Sequence, residues 1–198
     1  MELRELLAHR RMTRSFDGTP VDDAWLDQLC ADALWSPTAG NCAGVRLYTL
    51  GAQHVAAFVD VASDEAWRAR SRRYEGILGA GAAVLVTSRP QDYVARYAEP
   101  DKIASGLGDR ENWPLPYWHT DAAMATMALL LLLEESGWQA TIWGNFRNND
   151  AVARWAGIVD EELFATVFIG RSDNKDAKSS SLERDVPTRV ERVRRLNF

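Results

Sequence analysis

The sequence predicts a layered α/β protein that forms one domain, and three observations support this. Residues 82–86 are a short and continuously apolar run, which is typical of a strand buried on both faces. Apolar residues recur at helical spacing over 25–34, between the N-cap candidate Asp22 and the helix-breaking Pro37. A chain of 198 residues can bury such layers around a single core without disulfides or metals.

The other elements follow from the same two periodicities. Further helices are predicted at 2–9, 53–61, 64–74, 122–136 and 149–155, and further strands at 45–50, 139–143 and 164–169. Gly137 is expected to end the long helix as its C′ residue. Three glycines, Gly76, Gly79 and Gly81, precede the buried strand. Because a dinucleotide-binding loop follows a strand and opens a helix, a close-packed turn is favoured here over a phosphate loop.

The predicted helix at 122–136 has no polar face in its middle, because residues 129–133 are all leucine. A helix of this kind must be buried all round. In a chain this small, a second subunit is the favoured source of part of the cover, which predicts a homodimer. A central helix wrapped by its own domain is the alternative.

The segment between Pro90 and Trp118 is predicted to be irregular, because prolines and glycines interrupt it repeatedly. It is also rich in tyrosine and tryptophan, so residues 91–118 are interpreted as an aromatic lid loop. Trp113, Tyr117 and Trp118 are candidates for the mouth of a substrate pocket, where they would stack on a flat molecule. Packing in the core is the alternative for these three side chains.

Composition narrows the functional class. A formal net charge of −5 argues against nucleic-acid and anionic-membrane partners, which leaves small molecules as the expected ones. The two cysteines, Cys30 and Cys42, are too few for a disulfide framework or a four-thiolate zinc site and suit a reducing cytoplasm. No segment has the roughly 20 apolar residues of a membrane span, and residues 1–14 lack the apolar stretch of a signal peptide.

Residue chemistry points to anion binding more than to side-chain catalysis. The three histidines lie far apart, so no metal site is predicted, and no G-x-S-x-G elbow indicates a hydrolase. His119 is interpreted as a helix-entry contact, because Asp121 already suits the helix N-terminus. Arg10, Arg11 and Arg14 place three guanidiniums close together, which indicates either an anion site or a solvated surface patch.

Five short motifs occur in order along the chain. They are Arg10-Arg11-Met12-Thr13-Arg14-Ser15-Phe16, Ser36-Pro37-Thr38-Ala39-Gly40-Asn41, Trp118-His119-Thr120-Asp121-Ala122, Trp143-Gly144 and Ile169-Gly170. None is specific alone, but their order and spacing resemble those of the nitroreductase family over nearly the whole chain. The resemblance implies an α+β fold with a central mixed β-sheet flanked by helices and a long buried helix at a homodimer interface.

The resemblance also implies flavin chemistry. Members of the family bind FMN between two subunits, so the chain is expected to be an FMN-dependent oxidoreductase with NADH or NADPH as electron donor. Hydride would pass through flavin N5 to an electron-poor acceptor such as a nitroaromatic or a quinone, so no side chain is assigned a catalytic role. Residues 171–198 are expected to form a C-terminal extension that wraps the partner subunit.

At the phosphate end of the cofactor, the resemblance assigns Arg10, Arg11 and Arg14 to the ribityl chain and the phosphate. Lys178 is the best match to the family's late basic residue at the phosphate. Met12 occupies a further cofactor-binding position, where the family commonly has a serine.

At the ring end, the resemblance implies that Asn41 hydrogen-bonds the isoalloxazine edge, while Pro37 and Thr38 line the pocket from the partner subunit. The segment Trp143-Gly144-Asn145 would direct backbone N–H groups at flavin N5 and O4, and its glycine lets the main chain approach closely.

The chain departs from the family pattern at two points. Met12 removes a hydroxyl ligand, and Ala43-Gly44 replaces the usual Gln-Pro after Asn41, which removes a polar contact to the flavin. Two alternative functions stay open. One is a flavin-dependent oxidase or dehydrogenase of a specialised metabolite or peptide heterocycle, and the other is a non-catalytic flavin-binding dimer.

Overall fold

The computed structural model describes residues 2–144, 147–176 and 179–196 of the chain. Its centre is a sheet of four strands in the order β1-β2-β4-β3: β1 (Val45–Gly51), β2 (Ala82–Ser88), β3 (Gln139–Gly144) and β4 (Glu162–Gly170). The α+β class is confirmed, but the sheet is antiparallel rather than mixed in all three strand pairings. An isolated bridge between Met12 and Ala140 is the one parallel pairing in the described residues.

Helices cover both faces of this sheet. They are α1 (Leu3–His9), α2 (Asp23–Ala33), α3 (Ala52–Ala62), α4 (Glu65–Arg70), α5 (Tyr74–Leu78), α6 (Pro90–Tyr97), α7 (Tyr117–Glu135) and α8 (Asn149–Ala156). The predicted strands and the helices predicted at 2–9, 53–61 and 149–155 are confirmed to within two residues at each end. The helix predicted at 64–74 is instead two short helices, because the backbone is extended at Ser71 after α4.

The core consists of two apolar layers, one on each face of the sheet. On one face, Val84 packs with Leu26 of α2 and Leu129 of α7. On the other face, Leu85 packs with Phe58 of α3. Every residue of β2 is buried, as predicted for a strand that is covered on both sides.

The segment 90–118 is more ordered than predicted. It begins with α6, in which Pro90 occupies the first helical turn, where a missing N–H leaves no hydrogen bond unmade. The fully buried Tyr93 of this helix packs with Cys42, Trp113 and Trp118 in a separate apolar cluster. The prediction of an irregular segment is therefore wrong for α6, since the proline that suggested a break begins a helix.

The long helix α7 is only partly covered within one chain. Leu129 is fully buried, whereas Met124 is 46% exposed. Met124 and the half-buried Leu131 are seven positions apart on one side of the helix, so an apolar stripe faces away from the sheet. The chain alone therefore does not bury this helix all round, and its cover by a second subunit stays a prediction. Gly137 ends the helix with a φ of 76°, as predicted.

Among the described residues, none of the helices has both the length and the apolar character to cross a bilayer.

The glycines before β2 form the predicted close-packed turn. Their backbone lies against an extended N-terminal segment: the Phe16 N–H donates to the Gly76 carbonyl at 3.1 Å, and the Gly18 N–H donates to the Gly79 carbonyl at 2.9 Å. A Cβ on Gly76 would lie 2.5 Å from the carbonyl oxygen of Arg14. These glycines therefore allow two stretches of backbone to touch.

We expect Gly76→Ala to destabilise the fold, although alanine in a helix is normally about 1 kcal/mol more favourable than glycine. Gly76 lies in α5, and the added methyl group would collide with the backbone of Arg14. The free energy of unfolding, measured by urea denaturation, should fall by about 1–3 kcal/mol. Gly108→Ala is the matched control, because its Cβ would meet the Ala98 Cβ at an ordinary 3.5 Å. Equal stability of the two variants would contradict the close approach.

Candidate functional site

The arginine-rich N-terminal motif runs as extended backbone beside the edge of the sheet. The Thr13 N–H donates to the Ala140 carbonyl of β3 at 3.1 Å, next to the bridge between Met12 and Ala140. Alternate side chains of an extended segment point in opposite directions. Arg10, Met12 and Arg14 accordingly line one cavity of about 570 Å³, which we call the arginine cavity.

C-terminal residues close the far side of the arginine cavity. Asp176, Ser181, Leu182 and Arg189 contribute to its wall. Two ends of the chain that are distant in sequence therefore meet at this site, where Arg189 lines the same cavity as Arg10.

Arg10 carries the clearest electrostatic signal in the site. Its Nε and Nη1 atoms are buried and have no hydrogen-bond partner among the described residues. A guanidinium stays protonated, so these atoms are buried donors on a permanent charge. Burying such donors unpaired is costly. An anion would supply the acceptors that these donors lack.

Arg11 behaves differently from its two neighbours. Its Nη1 donates to the carbonyls of Ala8, His9 and Arg10 at 2.7, 3.1 and 3.1 Å. These groups lie at the C-terminal end of α1, where carbonyls lack helical partners and a cation is favourable. Arg11 borders the arginine cavity, but its guanidinium caps the helix.

Arg14 joins the arginine cavity to a second, smaller one of about 140 Å³, which Arg73, Thr141 and Trp143 also line. Burial, and next the charge of Arg73, lower the pKa of Arg14, and Asp176 opposes this by raising it. The hydroxyl of Thr141 is buried with no partner among the described residues. Two arginines and a threonine therefore line the smaller cavity.

Trp143 forms part of the wall of the smaller cavity. Its ring stacks on Trp67 with centroids 5.2 Å apart and meets Phe58 edge-on at 6.3 Å. Gly144 follows as the last residue of β3. The predicted contacts Asn145 and Lys178 lie outside the described residues.

The loop predicted to contact the flavin ring is separate from both cavities within one chain. Neither cavity is lined by Pro37, Thr38 or Asn41. Pro37 and Asn41 are exposed, and Asn41 has a left-handed backbone with a φ of 56°. One chain therefore does not bring this loop and the arginines together.

The aromatic residues predicted at a pocket mouth have two different environments. Trp113 and Trp118 are 9% and 4% exposed and pack in the cluster around Tyr93, as in the packing alternative. The Trp118 indole N–H also donates to Glu162 at 3.1 Å. Tyr117 is 39% exposed and is the one of the three that remains open to a ligand.

The comparison with known proteins identifies the family. The model of the nitroreductase family matches residues 7–171. The chain belongs to the nitroreductase family. No curated protein sequence matches the chain.

Several solved structures share the fold. A family protein from Streptococcus pneumoniae TIGR4 is 16% identical with a TM-score of 0.74, over 99% of this chain and 100% of that one. A nitroreductase-like protein from Exiguobacterium sibiricum 255-15, in complex with FMN, is 15% identical with a TM-score of 0.65, over 94% and 98% of the two chains. An enone reductase of gut-bacterial fatty acid saturation is also 15% identical, with a TM-score of 0.69 over 94% and 98%.

Asp121 does not lie at the start of a helix. Helix α7 begins at Tyr117, so Asp121 lies in its second turn, where it is 2% exposed. The carboxylate accepts hydrogen bonds from the Ala39 N–H and the Tyr93 hydroxyl, so it does not act on the helix dipole. His119 pairs with Glu162 at 2.7 Å, which fits a structural contact.

Sequence reasoning missed several of the residues that line the two cavities. Arg73 lies in the turn before α5, Thr141 is one residue of a regular strand, and Arg189 is one of several arginines in the tail. Nothing local distinguishes any of them, because only the packing of the sheet edge brings them to the cavities. Arg189 is the late cation that the structure places against the arginine cavity.

Glu162 of β4 has three partners: Trp118 and His119 at the start of α7, and Arg110 in the segment that precedes this helix. Burial opposes ionisation, but hydrogen bonds and charge from Arg110, Trp118 and His119 outweigh it and lower the pKa of the Glu162 carboxyl. A carboxyl with a lowered pKa stabilises the fold while it is ionised, and this contribution is lost as the pH falls through the folded-state pKa.

We therefore expect Glu162→Gln to lower the free energy of unfolding by about 1 kcal/mol at neutral pH, since the side chain is one-third exposed. The difference from the wild type should shrink when urea denaturation is repeated between about pH 5 and about pH 3. The exposed Glu111→Gln is the control and should have little effect at either pH. A Glu162→Gln deficit that does not change with pH would contradict this role.

Proposed function

We propose that the arginine cavity holds FMN and that the protein is an FMN-dependent oxidoreductase. The observation that carries the proposal is the buried, unpartnered edge of Arg10 beside a 570 Å³ cavity. A phosphate monoester carries a charge of roughly −2 at neutral pH and several acceptor oxygens. Such a group would satisfy the free donors of Arg10 and interact favourably with Arg189.

The residues of the two cavities fit the parts of FMN. Arg10 and Arg189 would bind the phosphate, and Arg14 at the junction would reach the ribityl chain or the ring edge. Thr141 offers an unpartnered hydroxyl for the ring's polar edge. Trp143 would give one wall an apolar surface that excludes water. Met12 adds packing in the arginine cavity without the hydroxyl that a serine would supply.

FMN when bound supplies the redox chemistry, taking hydride from NADH or NADPH and giving it to an electron-poor acceptor such as a nitroaromatic or a quinone. The chain's own task is to bind the cofactor, orient it and shield it. No side chain is assigned a catalytic role. Tyr117, exposed at the start of α7, is the residue we propose for contact with a flat acceptor. The FMN complex of the Exiguobacterium protein supports the choice of cofactor.

We propose further that the active form is a homodimer. The exposed stripe of α7 lies beside α1, whose Leu7 is 50% exposed, and Trp35 at the end of α2 is 88% exposed. Apolar side chains recur along the exposed tail at Leu182, Val186, Val190, Val193 and Leu196. Surfaces of this kind mark interfaces. A second copy would cover the stripe with its tail and bring its Pro37 and Thr38 to the arginine cavity.

Acidic charge and the two buried cysteines favour a cytoplasmic location, which stays a prediction.

Replacement of Arg10 tests the proposed phosphate site. Arg10→Ala should raise the Kd for FMN by about tenfold to a hundredfold, because it removes the donors that lack a protein partner. Titration of the apoprotein, followed by quenching of flavin fluorescence, measures the affinity. Arg4→Ala on the exposed side of α1 is the control. Arg11→Ala should weaken FMN binding less than Arg10→Ala, and the reverse order would contradict the assignment.

Anaerobic addition of NADPH or NADH to the flavin-loaded protein tests the direction of the reaction. Bleaching of the flavin absorbance band is the expected result, followed by reoxidation when a quinone or nitroaromatic is added. Flavin that neither nicotinamide reduces, but that a metabolite or heterocycle does, would favour the oxidase alternative. Flavin that no substrate reduces would favour the non-catalytic one.

A charge on the exposed stripe of α7 should disrupt the dimer. Met124→Glu would bury a carboxylate in the proposed interface, so light scattering after size-exclusion chromatography should detect a monomer. Flavin affinity should fall with it, because each site needs the loop of the other copy. Ala57→Glu on the exposed face of α3 is the matched control. A monomeric wild type, or a dimeric Met124→Glu variant, would rule out this interface.

A further inference from the structure

The carboxylate of Asp121 is buried, does not line the arginine cavity and holds a loop. Asp121 is 2% exposed, and its Oδ2 accepts hydrogen bonds from the Ala39 N–H at 2.8 Å and the Tyr93 hydroxyl at 2.9 Å. A buried carboxylate is retained only where donors compensate for its lost hydration. The two donors come from different elements, so Asp121 links α7 to α6 and to the loop that precedes β1.

That loop has a backbone that needs support. Gly40 and Asn41 are both left-handed, with φ values of 65° and 56°. A left-handed conformation is unfavourable for residues other than glycine, although asparagine tolerates it best. Arg96 provides a second restraint, since its Nε donates to the Gly40 carbonyl at 3.0 Å. Tyr97 provides a third, because its ring lies 2.7 Å from where a Cβ on Gly40 would be.

The departure from the family pattern at Gly44 has a physical counterpart in Tyr93. A Cβ on Gly44 would lie 2.9 Å from Cδ2 of the Tyr93 ring and closer still to its neighbour Cε2. A proline at this position would collide with the ring. Tyr93 therefore occupies space that only a glycine leaves free, and its hydroxyl reaches Asp121 from there.

Burial, and next its hydrogen bond to Asp121, raise the pKa of Tyr93. The hydroxyl therefore stays protonated and continues to donate throughout the physiological pH range.

We propose that Asp121 and Tyr93 are positioning residues that fix the loop at 38–42 in the shape in which Asn41 reaches the FMN held by a second copy of the chain. This rests on the proposed function, because Asn41 lines neither cavity of its own chain. Asp121 holds the loop one residue from its left-handed pair, and Tyr93 orients the carboxylate that does so.

The test compares Asp121→Ala with Asp121→Asn. The alanine variant removes the acceptor and leaves both donors unpaired. The asparagine variant keeps one oxygen in place for both of them. Two quantities are measured on each: the hydrogen-exchange rate of the Ala39 amide in the apoprotein, and the Kd for FMN from fluorescence quenching. Val59→Ala, in the fully buried layer on the other side of the sheet, controls for a general loss of stability.

Asp121→Ala should accelerate exchange of the Ala39 amide and raise the Kd for FMN, each on the order of tenfold. Asp121→Asn should stay within about threefold of the wild type in both quantities. Val59→Ala should lower the Tm without raising the Kd. Tyr93→Phe removes one hydroxyl and should raise the exchange rate of the Ala39 amide and the Kd for FMN by less than Asp121→Ala does. This variant keeps the test available if Asp121→Ala does not fold.

The outcomes separate this inference from the proposed function. If the wild type binds FMN and Asp121→Ala binds it equally well, the positioning role is overturned while the FMN site stands. Unchanged exchange of the Ala39 amide in Asp121→Ala would also overturn it, whatever the flavin result. If the wild type does not bind FMN, the proposed function fails, and the role of the loop toward a flavin fails with it.

Discussion

The extended backbone from Arg10 to Gly18 is the constraint on which the site depends. On one side it is hydrogen-bonded to Ala140 at the edge of the sheet, and on the other it lies against the glycine turn at 76–81. Because backbone groups hold it from both sides, its side chains alternate in a fixed register. That register directs Arg10 and Arg14 into one cavity and leaves Arg11 to cap α1. A one-residue slip would turn Arg10 and Arg14 away from the cavity.

The arginines of this cavity are unfavourable for the stability of the chain on its own. The buried edge of Arg10 has no partner in the described residues, and Arg14 is held near the like charge of Arg73. Neither arrangement stabilises a protein on its own, since buried donors lose their water and like charges repel. An anion that supplies acceptors to Arg10 would recover this free energy on binding. Cofactor binding should therefore stabilise the fold, because a ligand that binds only the native state shifts the unfolding equilibrium.

Regular periodicity made most of the fold predictable from the sequence. The apolar run of β2 and the spacing of α2 after Asp22 led directly to their observed positions. Local sequence signals gave wrong predictions where contacts with distant residues determine the structure. Pro90 suggests an interruption of regular structure, but it begins a helix. The position of that helix is fixed by the burial of Tyr93. Asp121 resembles a helix start, but its partners come from positions 39 and 93. Similarly, Arg10, Arg11 and Arg14 look equivalent in the sequence. Only the backbone pairing of this segment shows that Arg11 caps α1 while the other two point to the cavity.

The separation of the loop at 37–41 from the arginine cavity gives the apolar stripe of α7 a functional meaning. A single chain has the cation half of the site and the loop half, but they do not meet. If a second copy covers Met124 and its neighbours, the loop of each copy can complete the cavity of the other. Dimer formation and flavin binding are then linked equilibria, because each makes contacts that the other requires. The hydrogen bond from the Ala39 N–H to the buried Asp121 connects α7 to that loop within the same chain. In the proposed dimer, the helix whose exposed stripe meets the second copy would therefore also hold the loop that one copy offers to the other.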